Sequence, residues 1–286
     1  MTIAHAAEVD KIMTLADAVE RHVRPGTSVY LGNFGAQLFS VGHEMIRQDI
    51  HCIDAVIASG GLLMDQLLGA KVLRSATYGH CWSPVGPSPA WNFRRAAESG
   101  DDSVELYEMS LGLMTAALTA GAWGVPFMPV PSLPGTGYTD EDWTNGRLSK
   151  VSTEYGNAAI VRALSPEVAF VHVDKADAQG NGSLNGPLGE VLLAAQAART
   201  VVIIAEEIVR TEEILAGKII IPGLLTTAVV HHPGAVAPDG VIGRYDRDVA
   251  TYEDYVSRAA TPEGFAAWAT ELGSGKTIAV PEGGNV

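Results

Sequence analysis

The chain has 286 residues, of which 47% are apolar and 18% charged, a balance that suits a packed globular protein and excludes an intrinsically disordered one. Its 33 acidic residues outnumber 19 basic ones and leave a formal charge of −14, which opposes generic binding to nucleic acid or to an anionic membrane. Two cysteines, Cys52 and Cys81, without a C-x-x-C spacing, are expected to be core thiols in a reducing compartment. The opening MTIAHAAEVDKIMTL lacks the basic stretch and apolar run of a secretory signal. No apolar run approaches the roughly 18–20 residues of a membrane helix. These features predict a cytoplasmic protein.

In chain order, Thr14 precedes LADAVERHV with Asp17 three residues on, which predicts a capped helix closed by Pro25-Gly26. SVYLG (28–32) reads as a strand that stops at Gly32-Asn33-Phe34-Gly35, and VGHEMIRQ (41–48) reads as a helix. IDAVIAS (53–59) is an apolar strand ending in Gly60-Gly61 before the helix LLMDQLLG. KVLRSATY (71–78) is a third strand, and PSPAWNFRRAAESG (87–100) a helix entered through prolines. VELYEM (104–109) leads into the Ala-rich helix LGLMTAALTAGAWG, and PFMPVP (126–131) is expected to be a buried extended segment.

Residues 132–156 are rich in Gly, Thr, Asp and Ser and read as a long surface loop. Alternation then resumes with strands at VAFVHV (168–173), TVVIIAEEI (200–208) and LLTTAVVHHP (224–233), a helix at GEVLLAAQAAR (189–199), and a helical tail from about residue 252. Strands alternating with helices predict an α/β fold with an open, mostly parallel, doubly wound sheet, in one domain spanning 1–286. Ligands of such sheets sit beyond the carboxyl ends of the strands.

Several segments are candidates for chemistry. His172, Asp174 and Asp177 match no metal-ligand spacing, and Lys175 among them opposes a cation, so no metal is expected. The strand–loop–helix order of 168–199 suits anion binding, yet the loop is neither G-x-G-x-x-G nor a P-loop. Its glycines, Gly180, Gly182 and Gly186, are expected to provide positive φ, with Asp177 and Asn181 bonding their own backbone. No G-x-S-x-G elbow occurs, and His231-His232 read as a satisfied or exposed pair. Glu108 ends a strand where it either caps the next helix or works in a cleft with a raised pKa, whereas Glu206-Glu207 read as caps. Trp82, Trp91 and Trp143 either line a pocket for an aromatic or bulky group or are buried structural residues.

Taken together, MTLADAVERHVRPGTSVYLGNFG, GVPFMPV, PEVAFVHVDKADAQGN, AAQAARTVVIIAEEIV and IPGLLTTAVVHHPGAVAPDG resemble, in this order, the α (A) subunit of family I coenzyme A transferases, most closely the glutaconate type. The resemblance covers roughly residues 13 to 258. Three departures stand out: Asn33 replaces a usual glycine, Gly234-Ala235-Val236-Ala237-Pro238 replaces Gly-Ala-His-Pro, and no Ser-Glu-Asn-Gly element occurs.

The resemblance implies the transferase fold, coenzyme A as substrate with no permanently bound cofactor, and a β subunit partner carrying the nucleophilic glutamate, in a heterodimer or heterotetramer. It implies transfer of CoA between an acyl-CoA and a carboxylic acid, with Asn33, Phe34, Gly35, Gly60, Gly61, Tyr78, His80 and Ser110 around the cleft and Glu108 as the catalytic candidate of this chain. Alternatives are a cyclic-thioester hydrolase of the same fold using Glu108, although Ser110 and Leu111 stand where those relatives are acidic, a non-catalytic acyl-CoA-binding subunit, and a sugar-phosphate isomerase of the same general fold.

Overall fold

The computed structural model describes residues 10–33, 36–99, 103–131 and 146–275. The chain runs through β1 (Ile12–Met13), α1 (Leu15–His22), β2 (Ser28–Tyr30), β3 (Gly32–Asn33), β4 (Ala36–Gln37), α2 (Phe39–Arg47), β5 (Ile53–Ile57), α3 (Gly61–Gly69), β6 (Leu73–Tyr78), α4 (Trp91–Glu98), β7 (Glu105–Glu108) and α5 (Leu111–Trp123). It continues through β8 (Phe127–Val130), β9 (Leu148–Thr153), β10 (Gly156–Arg162), β11 (Val168–Ala176), β12 (Gly182–Ser183), α6 (Val191–Ala197), β13 (Thr200–Ile208), α7 (Thr211–Leu215), β14 (Ala228–His231), α8 (Val249–Ala259) and α9 (Pro262–Gly273).

The main sheet has the order β1-β14-β13-β11-β2-β5-β6-β7, with β12 against β11. Every pair along that path is parallel, and only β12 is antiparallel. The expected open, parallel α/β sheet is therefore what the chain forms. Strand order reverses between β2 and β11, which pair only through Val29 with Val168 and Tyr30 with Ala169. Beyond that point β11 continues past the end of β2 while staying paired with β13, and the gap this leaves at the strands' carboxyl ends is where an α/β sheet takes its ligands.

Two apolar layers flank the sheet, because alternate residues of each buried strand face opposite sides. Val29, Ile57, Phe170, Val202 and Val230 pack with α1–α3 and the C-terminal helices. Tyr30, Val56, Val171, Ile203 and Val229 pack with α5 and α6. The helix α1 begins as its sequence dictates, with Thr14 Oγ1 accepting from the Asp17 N–H at 3.1 Å. α3 is buried from Gly61 to Leu68, including Asp65. Its carboxylate accepts from Phe93 N at 2.7 Å, Asn92 Nδ2 at 3.1 Å and Tyr255 Oη at 2.6 Å, tying α3 to α4 and the tail. Burial raises the Asp65 pKa against those bonds.

Three expectations are corrected. Leu148–Thr153, read as loop, is a strand of a separate antiparallel sheet β8-β10-β9, and residues 132–145 of that reading lie outside the described residues. PFMPVP joins this small sheet with one face open, so Phe127 is 44% exposed and only Val130 is buried. Cys52 is exposed just before β5 rather than a core thiol. The tail helices form, with Asp248 and Thr261 as N-caps.

Candidate active site at the strand ends

A polar cluster stands at the carboxyl ends of β4, β5 and β6. Gln37 Nε2 donates to Ser59 Oγ at 3.3 Å, and Ser59 Oγ lies 3.0 Å from His80 Nε2. The Ser59 hydroxyl, with one proton and two lone pairs, thus joins the Gln37 amide to the imidazole of His80. Burial lowers the His80 pKa, so its neutral form prevails near pH 7.

Glycines make this crowding possible. Gly61 has φ +49°, and a Cβ there would lie 2.3 Å from Gln37 Nε2. Gly60 donates its N–H to His80 O at 2.9 Å, and a Cβ on it would meet that oxygen at the same distance. Gly32 has φ +101° at the start of β3, where a Cβ would stand 2.1 Å from Ala36 O. The helix α3 starts from Gly60 without a side-chain cap, so its first-turn N–H groups are unspent by the helix itself.

The sequence-predicted site residues divide. Gly60, Gly61 and His80 meet in this cluster; Asn33 is in β3 beside it in the chain, and Phe34 and Gly35 lie outside the described residues. Tyr78 is buried, its ring edge-on to Phe93 at 5.5 Å, and its carbonyl accepts from Met109 N at 2.8 Å. Ser110 caps α5, accepting from Leu113 N at 3.2 Å, so the cap that Glu108 might have supplied comes from Ser110. Glu108 is exposed, which corrects the expectation of partial burial there. Trp82 is 52% exposed beside His80, Trp91 is partly buried, and Trp143 lies outside the described residues.

Gln37 and Ser59 escape the sequence reading. The available signal is a lone polar residue closing an apolar strand immediately before Gly-Gly.

Glu206 is corrected from a cap to a buried anchor. Its Oε1 accepts from His172 Nε2 at 3.0 Å and Tyr245 Oη at 2.7 Å, and its Oε2 from Gly234 N at 2.7 Å. Burial pushes its pKa up, but these donors outweigh that and leave it below the ordinary value. Glu207 pairs instead with Arg244 at 3.1 Å.

The loop after β11 is a turn, as its residues suggest. Asp177 Oδ1 accepts from the N–H groups of Gln179 and Asn181, and Asn181 Oδ1 accepts from Gly223 N. Gly180 and Gly186 have positive φ; Gly182 does not, and is required because a Cβ would meet Val173 at 2.9 Å. Among the described residues no group of His, Cys, Asp and Glu side chains could hold a metal ion.

A parallel α/β sheet with a tight, glycine-lined polar cluster at its strand ends places the chain in the doubly wound α/β class. Residues 12–232 match the coenzyme A transferase family, and the chain belongs to it. It is 31% identical over 265 residues to the A subunit of 3-oxoadipate CoA-transferase from Pseudomonas knackmussii, covering 91% of this chain and 93% of that protein. It is 27% identical to the A subunit of glutaconate CoA-transferase from Acidaminococcus fermentans, covering 92% and 88%. The crystal structure of that organism's glutaconate coenzyme A-transferase superposes with a TM-score of 0.83 at 26% identity, over 91% of this chain and 88% of that one.

Proposed function

We propose that this chain, as a single domain over residues 1–286, is the α subunit of a heteromeric CoA-transferase that moves CoA between an acyl-CoA and a carboxylic acid. The nucleophilic glutamate is supplied by a separate β subunit in a heterodimer or heterotetramer. The observation that carries this reading is the family match across 12–232, together with the likeness to the A subunits of two CoA-transferases. The state of the carboxylates supports it. Glu206, buried at the strand ends, already accepts three hydrogen bonds, which leaves it a poor nucleophile, and Glu108 is exposed.

In such chemistry a glutamate attacks the acyl-CoA carbonyl, expels CoA thiolate and forms an acyl-glutamyl anhydride. The thiolate then attacks the glutamyl carbonyl, releases the carboxylate and leaves CoA on the enzyme as a thioester, and the second acid reverses both steps. Each tetrahedral intermediate needs donors aimed at its oxyanion. The contribution of this chain is the wall of the cleft: the first-turn N–H groups of α3 and the imidazole of His80, held in place by Ser59 and Gln37. Asn33, Phe34, Gly35, Tyr78 and Ser110 stay in the proposal as neighbours of that wall, and Glu108 as this chain's own catalytic candidate.

CoA is the substrate and no other cofactor is required. Among the described residues no helix is long and apolar enough to cross a membrane, and the free thiol of Cys52 suits a reducing, cytoplasmic setting.

Co-expression with a candidate β subunit, incubation with acyl-CoA, borohydride reduction and mass spectrometry tests the reading. A reduced glutamate on the partner is expected. A chain that binds no partner, or a pair without affinity for CoA, overturns it.

A further inference from the structure

The face of the main sheet over β5, β6 and β7 carries polar side chains where a doubly wound sheet would normally be covered by apolar helix. Asp54, Ser75 and Glu105 form one cross-strand row, and Val56, Thr77 and Tyr107 the next. Arg147, just before β9, lies over this face with its guanidinium 3.6 Å from the Tyr107 ring centroid, and it donates to the Thr77 hydroxyl. Together with the end of β10 and residues 163–166, it encloses a cavity of about 260 Å³ whose lining includes Arg147, Arg162, Ser165, Val56 and Met109.

Two cations facing one cavity are unusual in a chain with a charge of −14. Neither Arg147 nor Arg162 forms an ion pair among the described residues. The carboxylates nearest along the sheet attract Arg147 but hydrogen-bond elsewhere, Asp54 with Arg74 and Ser75, Glu105 with the Tyr107 hydroxyl. Arg147 is half-buried, so its guanidinium has given up part of its hydration, and burial lowers its pKa. A planar, always-charged guanidinium in that setting favours a planar, bidentate anion.

The rest of the lining sets the ligand's size and character. Val56 and Met109 offer an apolar floor, and the volume falls just below the roughly 300–1,000 Å³ of ordinary small-molecule clefts. A nucleotide is too large, and a bare inorganic anion would leave the apolar floor unused.

We infer that this cavity is a binding site for a small organic carboxylate, its head group held between Arg147 and Arg162 with the Ser165 hydroxyl alongside and its short apolar stem lying on Val56 and Met109. Its lining shares no residue with the Gln37, Ser59 and His80 cluster.

Calorimetric titration of the full-length chain, in the absence of CoA, tests the site with three probes: hexanoate, its neutral isostere hexanamide, and inorganic phosphate. Hexanoate is expected to bind at one site per chain, with hexanamide and phosphate at least tenfold weaker. Arg162→Gln is exposed and should leave folding intact while weakening hexanoate about tenfold or more. Arg147→Gln should weaken it further, and Ser59→Ala should not affect it. Hexanamide binding as well as hexanoate, phosphate binding equally well, or unchanged affinity in Arg162→Gln would each overturn the site. Because no CoA or partner chain is required, either result leaves the transferase reading to its own test.

Discussion

The Ser59 hydroxyl lies 3.0 Å from His80 Nε2, while Gln37 Nε2 approaches the same oxygen at 3.3 Å from the end of another strand. Three strand ends are thereby joined by one chain of hydrogen bonds, which holds the imidazole at its end in place. Ser59→Ala removes the middle link without adding bulk. In the reconstituted α–β pair it should lower kcat/KM by about 10- to 100-fold, as expected when a donor is misplaced rather than deleted. His80→Ala, which deletes the donor, should cost about 10²- to 10³-fold. Steady-state assay of CoA transfer decides this; equal and small losses in both variants would assign the cluster to packing alone.

The cluster depends on the absence of a side chain at residue 61. Gly61 has φ +49°, and a Cβ would sit 2.3 Å from Gln37 Nε2 and 2.6 Å from Gln37 Oε1. Gly61→Ala should therefore cost about 1–3 kcal/mol of stability through backbone strain and displacement of Gln37. Activity should fall more than the folded fraction does, because the displaced amide also releases Ser59. Urea denaturation beside activity at a temperature where the variant stays folded separates the two effects.

Glu206 should behave as a stability residue. Glu206→Ala leaves a buried imidazole, a buried phenol and the Gly234 N–H without their acceptor. Breaking such a buried charged assembly from one side costs about 3–5 kcal/mol. Equilibrium unfolding should show a large shift in midpoint, and a loss below about 1 kcal/mol would mean that the surrounding structure re-satisfies these donors.

Much of the fold is legible in the sequence because the local signals agree with one another. The Thr14 and Asp17 cap, the largely apolar strands from Ile53 and Val168, and the glycines that follow them each point to the same layered sheet. Leu148–Thr153 reads as loop because its strand alternates polar residues on an open face, so LSKVST has the composition of a loop and is fixed only by pairing with β10. Glu206 misleads for a different reason. Its partners His172, Gly234 and Tyr245 lie 28 to 39 residues away, and nothing local reveals that a strand-end carboxylate turns inward. Gln37 and Ser59 are adjacent only because β4 and β5 finish at the same edge, a fact of topology that neither segment carries alone.

Stability should fall on mild acidification, and His43 should be a principal cause. Its ring is buried in α2 between Phe39 and Trp268, each 5.9 Å away, with Nε2 donating to Gln66 Oε1 at 2.8 Å. Burial lowers its pKa to about 4, against the bond to Gln66 that raises it. Between that value and the ordinary 6.5 the unfolded chain binds a proton that the folded chain refuses, so stability rises with pH across this window and is lost as pH falls through it. A displacement of that size corresponds to about 3 kcal/mol. Burial also lowers the pKa of His22, His80 and His232, so these add to the loss with the same sign. Urea denaturation at pH 7 and pH 5 should show the drop. His43→Leu combined with Gln66→Leu, which removes both partners of the bond, should flatten the slope by close to one proton; an unchanged slope would place the acid sensitivity in the other histidines.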